Sequence, residues 1–415
     1  MSAPLSPVPI PTHIGLHAGP ALLSGITDGP SLEAHRERYG PLPPLELDDL
    51  VDLASRAGLR GRGGAGFPFA TKLAAAARGR RRELVVNLSE GEPASAKDSA
   101  LALSRPHLVL DGAVATARAL GAREVHVVLP GDRPAPARQM LRALGERDRR
   151  EDRVRLRPLT AEPRFVAGQA RAVVELMSGR PNLPVTSWAP EAVAGFRGRP
   201  TLISNAETWA QVGQLLLAGE RAYVRRGTPG EPGTTLLTHS RHGVAPEVWE
   251  VDHGTPVGDV LPPLTPETPV LVGGFHGAWT TWSTLARTGV SRLAMAAEGL
   301  PLGAGVIHVP APGGCPLGFT SAVVDYLAGQ SAGRCGPCLN GLPALAEAVR
   351  GAWQGRDTTA RVDQLAGLLV RRGACAHPDG TVRLVRSVFT ALPAEVDAHR
   401  RGSCSAATTG AGAAS

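Results

Sequence analysis

Gly58-Leu-Arg-Gly61-Arg-Gly63-Gly64-Ala-Gly66-Phe67-Pro68 is the stretch on which the reading of this chain turns. Gly61, Gly63 and Gly66 satisfy Gly-x-Gly-x-x-Gly, the spacing of a dinucleotide-binding turn, which needs a strand before it and a helix after. Here residues 45–58 (LELDDLVDLASRAG) carry apolar residues at helical spacing with acids in the first turn. Pro68 follows almost at once. That context excludes a Rossmann turn, but the physical content survives. A backbone this poor in β-carbons can approach a flat or phosphorylated ligand closely, with its amides free to point at it. Arg60, Arg62 and Lys72 add positive charge.

A flexible surface loop has the same composition, so the next segment decides. The buried-strand pattern Glu83–Leu88 leads into Asn87-Leu-Ser89-Glu90-Gly91-Glu92-Pro93, with Lys97-Asp98 just beyond. A strand ending in Asn and two acids belongs at the carboxyl edge of a parallel sheet, where α/β proteins bind ligands. Asn matches the amide edge of a heterocycle, and a carboxylate accepts from ring, ribitol or nicotinamide donors.

Around these loops, strand and helix patterns alternate. Helix is expected over 97–120, 134–147 and 168–179, and strand over Val125–Leu129 and Val154–Leu159. Ser204-Asn205-Ala206-Glu207 has capping-box spacing and opens a helix to about Ala218. This alternation predicts an α/β sandwich with a largely parallel sheet. Residues 1–44 read as an arm laid over the domain at 45–232. The texture changes after Gly230: 233–261 reads as short strands with polar turns, and 269–274 adds another, giving a small module at 233–318. Helical signal dominates 319–402 (321–329, 342–353, 361–372, 381–399), and 403–415 is a small-residue tail expected to be disordered.

The 415 residues suffice for two or three domains, and 43% hydrophobic content supports large cores. The formal charge is +7, but the arginines are scattered and aromatics make up only 4%. Nucleic-acid binding is therefore not expected; small basic knots such as Arg78–Arg82 could attract an acidic protein or a dinucleotide phosphate. The five cysteines are an odd number in a large chain, which argues against a disulfide framework. With no leader pattern and no bilayer-length apolar run, the expected location is the cytoplasm.

The two loops together resemble the flavin-binding subunit of NADH:quinone oxidoreductase (respiratory complex I) and its relatives in NAD-reducing hydrogenases and formate dehydrogenases. Six landmarks stand in family order: GRGGAGFP at 61–68, NLSEGEP at 87–93, SNAET at 204–208, VGGFHGAW at 272–279, CGPC at 335–338 and GACAHP around Cys375. The resemblance implies an FMN-binding α/β sandwich, a β-grasp-like SLBB module and a C-terminal helical iron–sulfur domain. By position it implies that Gly61, Gly63, Gly64, Lys72, Asn87, Ser89 (where relatives have Asp), Glu90 and Gly91 face FMN, with Ser204, Asn205 and Thr208 completing the pocket. Phe67 and Glu92 would lie on the NADH side, Glu92 as the catalytic candidate.

It further implies transfer of electrons from NAD(P)H or another donor to a ferredoxin-like or quinone-linked partner subunit, any membrane complex being reached indirectly. A flavin-free scaffold of the same fold is the alternative. The chain departs from the family where Gly168-Gln169-Ala170 replaces Gly-Glu-Glu, where 184–190 lacks the Lys of a Lys-Pro-Pro stretch, and where Leu73-Ala-Ala-Ala replaces aromatics. These changes keep the FMN cradle and erode the NADH pocket.

Cys335-Gly-Pro-Cys338 opens a helix, and Cys375 lies 37 residues on, after two helices able to return it. A [4Fe–4S] cluster takes four thiolates. The family's first cysteine is Ala332 here, so three ligands remain: for a [4Fe–4S] cluster with a non-Cys fourth ligand or a partner's group, a [3Fe–4S] centre, zinc with His377, or no metal. Cys315, in a Gly-Gly-Cys-Pro turn, reads as structural, and no role is expected for Cys404, His308 or His377.

Overall fold

A computed structural model describes residues 6–404. After a short strand, β1 (Gly15–Leu16), the chain lays down β2 (Glu83–Asn87), β3 (Glu124–Leu129), β4 (Arg155–Thr160) and β5 (Thr201–Asn205). These four are parallel, in the order β4-β3-β2-β5. The inner strands of a parallel sheet are covered on both faces and read as near-continuous apolar runs, while the edge strand β4 is mostly exposed. Leu84 and Val86 of β2 enter a large core with Val125 and Val127, under helices that include Pro106–Leu120 and Ala206–Ala218. Val85 points the other way, with Val128 and Ile203, against helix Ala170–Met177. The chain leaves β2 toward β3 but returns on its opposite side as β5. That reversal opens a crevice at the carboxyl ends of β2 and β5.

β6 (Thr234–Arg241), β7 (Glu247–Asp252), β8 (Pro269–Val272), β9 (Ala278–Thr281) and β10 (Val306–Val309) form a mixed sheet with β1, in the order β1-β7-β6-β10-β8-β9. The arm is tied down at two points. Glu250 of β7 accepts from the amides of Ala21, Leu22 and Leu23 at 3.0, 2.8 and 2.9 Å. Helix Leu32–Tyr39 is anchored on the fully buried Asp111, which is paired with His35 (2.8 Å), Arg36 (2.6 Å) and Arg147 (2.7 Å). Burial opposes ionisation of Asp111, but these partners hold its carboxyl well below the usual range. Helices Pro316–Gly329, Leu342–Trp353, Thr359–Leu369, His377–Ala391 and Pro393–Arg400 share the last core. No helix among the described residues is long and apolar enough to cross a membrane.

Two expected helices are each broken in two. The helix over 97–120 stops at Ser104 and restarts at Pro106, with Arg105 at φ −138°, ψ 45°. The one over 381–399 breaks at Leu392, before Pro393. In both, the proline ring denies helical geometry to the residue before it. Helices Leu32–Tyr39 and Phe69–Ala77 escaped the sequence reading. Of the expected tail, Ser403 donates its amide to the Ala398 carbonyl at 3.0 Å; 405–415 lie outside the described residues.

Helices Pro106–Leu120 and Ala206–Ala218 touch backbone to backbone. A β-carbon on Gly112 would sit 2.0 Å from the Trp209 carbonyl oxygen and 2.8 Å from the Gly213 nitrogen. Neither group can swing aside, so Gly112→Ala must separate the helices. The expected loss is roughly 1–3 kcal/mol, read as a lower denaturation midpoint at unchanged slope.

Candidate functional site

Asn87 and Asn205 are register partners at the carboxyl ends of β2 and β5. The cap of helix Ala206–Ala218 is Asn205 rather than Ser204: its Oδ1 accepts from the Thr208 amide at 3.3 Å. Glu207 does not close a capping box. It pairs with Lys97 and accepts from Leu236 N–H (2.9 Å) and Thr235 Oγ1 (3.1 Å), joining the two sheets. Its reach to the second sheet is set by tertiary packing, which local spacing does not encode.

The glycine-rich loop is buckled onto the end of β5. Arg62 N–H donates to Thr208 Oγ1 at 2.8 Å, and the Arg62 carbonyl accepts from Lys97 Nζ (2.7 Å) and Asn205 Nδ2 (3.3 Å). Asn205 Nδ2 also reaches Asp98 Oδ1 at 3.1 Å. Burial pushes the Asp98 carboxyl up to about 7, although Lys97 pulls against it. Gly66 favours glycine for its backbone: it has φ +60°, and a β-carbon would also displace the Arg292 side chain. Gly63 does not, since a β-carbon there meets nothing within 4 Å. Gly63 and Gly64 are exposed, so they present bare backbone.

Lys72 projects from helix Phe69–Ala77 to the Ile203 carbonyl of β5. Among the described residues no carboxylate forms a salt bridge with it, and burial lowers its pKa. A half-buried cation that hydrogen-bonds only a carbonyl, with Glu191 acting on it from beyond salt-bridge distance, is short of a direct anion. Such a site fits the negative charge that FMN would bring.

Asn87 Nδ2 donates to the Gly168 carbonyl at 2.7 Å, and its Oδ1 accepts from Ser89 Oγ at 2.7 Å. A β-carbon on Gly91 would lie 2.4 Å from the Phe165 carbonyl oxygen. Loop 87–91 and segment 164–168 therefore form one wall of the crevice. Two acids of the loop are engaged elsewhere. Glu90 accepts from Ser95 Oγ (3.0 Å), the amides of Asp98 (2.9 Å) and Ser99 (3.0 Å), and Arg133 (3.2 Å). Its side chain thus caps helix Lys97–Ser104. Glu92 accepts from Phe275 N–H at 2.8 Å and Ala94 N–H at 3.2 Å, which docks the α/β domain on the loop after β8. Phe67 is 53% exposed at the outer side of the glycine-rich loop.

Burial pushes the Glu92 carboxyl up to about 7 from an ordinary 4.5; the two amides and Arg133 oppose the shift and Glu90 adds to it. The folded state therefore holds this proton more tightly than the unfolded chain. Its stabilising contribution is complete below 4.5 and is lost as the pH rises through about 7. Glu92→Gln is expected to flatten this part of the Tm-versus-pH curve.

The cysteines converge as their spacing implies. Cys335 and Cys338 Sγ are 3.5 Å apart, and helices Leu342–Trp353 and Thr359–Leu369 return Cys375 beside them. Burial works against the Cys335 thiolate, but N–H groups of Ala374 and Cys338 donate to it and hold its pKa below the ordinary value. Among the described residues the three thiols belong to no ligand group closed within 4.8 Å. His377 is not a ligand: Nδ1 faces His276 Nε2 at 3.0 Å and Nε2 faces the Leu327 carbonyl at 2.8 Å. Burial raises the pKa of the Cys375 thiol, and the His377 amide and the side-chain amide of Gln169, which follows the wall residue Gly168, pull against that shift. The sequence marked Gln169 only as a lost carboxylate, because this interaction joins residues about two hundred positions apart.

Comparison with known proteins agrees with this geometry. Residues 54–214 match the family model "Nuo51 FMN-binding domain", and residues 318–399 match "NADH-ubiquinone oxidoreductase-F iron-sulfur binding region". The chain is similar to an NADH-quinone oxidoreductase subunit of Rhizobium meliloti, the second of its F type, with 26% identity over 91% of this chain and 94% of the relative. It is also similar to the HndC component of the NADP-reducing hydrogenase of Solidesulfovibrio fructosivorans, with 26% identity over 77% and 69%. A crystal structure of NAD+-reducing [NiFe]-hydrogenase in the air-oxidized state superimposes with a TM-score of 0.83 at 25% identity, over 93% of this chain and 68% of that one. With both cofactor-binding regions matched in chain order and the whole fold shared, the chain belongs to the family of flavin-binding subunits of NADH-quinone oxidoreductases and NAD-reducing hydrogenases, as an FMN- and iron–sulfur-type electron-transfer oxidoreductase.

Proposed function

We propose that this protein moves electrons between a flavin in the β2/β5 crevice and a centre on Cys335, Cys338 and Cys375, which exchanges them with a ferredoxin-like carrier. The observation that carries the proposal is one continuous path. Asn87 at the crevice hydrogen-bonds Gly168, and the next residue, Gln169, is near enough to Cys375 for its amide to favour the thiolate. FMN, when bound, couples two-electron chemistry to single-electron transfer, and an iron–sulfur centre accepts single electrons.

The chain's own residues divide the work. Gly61, Gly63, Gly64 and Gly91 give close backbone approach. Lys72 takes the ligand's negative charge. Asn87, Ser89, Ser204, Asn205 and Thr208 supply polar contacts to the ring and ribitol, and Glu90 holds the loop from behind. The two cofactors would sit in separate domains, 45–232 and 319–402, with the module at 233–318 docked on the first through Glu92.

The donor side is the altered part. Gln169 and Ala170 offer no carboxylates, and Leu73 replaces an aromatic, so NAD(P)H is held weakly beside Phe67. The protein works at the periphery of a larger assembly and is cytoplasmic. Stopped-flow mixing with NADH, NADPH and reduced ferredoxin tests this. Flavin bleaching by NAD(P)H is expected only at high concentration, and by reduced ferredoxin at low concentration. No bleaching by any of the three would overturn the proposal.

A further inference from the structure

Four side chains far from the crevice in sequence meet where helix Pro316–Gly329 begins and the last helix ends. Cys315, Glu395, His399 and Cys404 place one ligand atom each within 4.8 Å of all the others. Cys315 Sγ lies 3.2 Å from His399 Nε2 and 3.3 Å from Glu395 Oε1. Glu395 Oε1 lies 3.1 Å from His399 Nε2 and 3.4 Å from Cys404 Sγ. A tetrahedral zinc ion with bonds of about 2.0–2.3 Å holds its ligand atoms roughly 3.3–3.8 Å apart. Four of the six separations here are 3.1–3.4 Å and all lie within 4.8 Å, close to that size.

The surroundings are those of a metal site as well. His399 Nδ1 sits 2.7 Å from the Trp353 carbonyl. That contact places the ring proton on Nδ1 and turns the bare lone pair of Nε2 toward the sulfurs, the usual outer contact of a ligating histidine. Gly318 N–H donates to Cys315 Sγ at 3.1 Å, as an amide does to a metal-bound thiolate. Glu395 and His399 are 6% and 8% exposed and lie one turn apart on helix Pro393–Arg400. Two sulfurs, one imidazole and one carboxylate make a borderline-soft donor set, which selects zinc over calcium or magnesium.

We propose that Cys315, Glu395, His399 and Cys404 bind a structural zinc ion that staples the end of the chain to the start of the iron–sulfur domain. The four protein ligands leave no open position, so the site is closed and takes no part in the redox chemistry. Binding Zn2+ releases one proton from each cysteine thiol, and no oxidant or reductant is required.

Metal analysis of the full chain, expressed with zinc and purified without chelator, tests this. One zinc per chain is expected beside the iron. Cys315→Ser and His399→Gln should each bring zinc to background, lower the Tm and leave iron and FMN contents unchanged. The triple variant Cys335→Ser, Cys338→Ser, Cys375→Ser should keep its zinc, and cobalt added to its zinc-free form should give a thiolate-to-cobalt charge-transfer band. This cobalt arm reads the site even if the single variants fail to fold. A zinc-free wild-type chain that gives no cobalt band, a Cys315–Cys404 disulfide in its mass, or zinc that is lost in the triple variant would each overturn the proposal.

Discussion

Replacing Lys72 with methionine is expected to strip FMN from the chain while leaving the fold intact. The stem of the side chain packs as before, but the crevice loses its cation. A hydrogen bond to a charged group contributes about 1.5–3 kcal/mol, so the FMN dissociation constant should rise roughly 10- to 150-fold. Stability should move the other way. Lys72 has burial against it, a carbonyl as its hydrogen-bond partner and only the distant Glu191 as counter-charge, so the flavin-free variant should melt no lower than the flavin-free parent. A site that spends stability on a charge its own fold does not neutralise is shaped for a ligand. Fluorescence titration with FMN and a thermal melt of the same two proteins check both halves.

Cys375→Ala carries the second large effect. It leaves Cys335 and Cys338 as the remaining thiolates of a centre that already lacks one at Ala332. Two thiolates do not hold an iron–sulfur cluster that normally takes four, so iron should fall to background. FMN content should not change, because the crevice takes no residue from 319–402. Reduction of a one-electron acceptor such as ferredoxin should then collapse while flavin bleaching by a donor persists. The opposite substitution, Ala332→Cys, should supply the fourth thiolate and raise iron to about four per chain. Iron assay and acceptor turnover on the two variants check this.

The sequence carried the architecture because its signals were local. The all-apolar run in Glu83–Leu88 marks a strand buried on both faces, and the structure buries Leu84 and Val86 on one side and Val85 on the other. The glycine spacing and the strand-ending Asn87 located the crevice for the same reason. Signals that depend on tertiary partners were not readable. Glu90 and Glu92 read as ligand-facing acids, yet one caps helix Lys97–Ser104 and the other binds Phe275 N–H. Both have the residue type a flavin pocket uses, and only packing shows where the carboxylates turn. Cys404 read as an idle tail residue because its partners at 315, 395 and 399 are brought to it by the fold. Helix breaks at Arg105 and Leu392 were readable, since each residue precedes a proline; helical periodicity running through the break hid them.

The β2/β5 crevice as the seat of FMN and the three cysteines as the seat of an iron–sulfur centre, both in one chain, stand or fall on one experiment. It is visible absorption with FMN and iron assays on anaerobically purified protein, followed by electron paramagnetic resonance of the reduced sample. One FMN per chain, iron in the ratio of a three- or four-iron centre and a matching resonance signal are the expected result. A colourless chain that takes up neither FMN nor iron on reconstitution would contradict it, and would leave a scaffold with the fold of an electron-transfer protein.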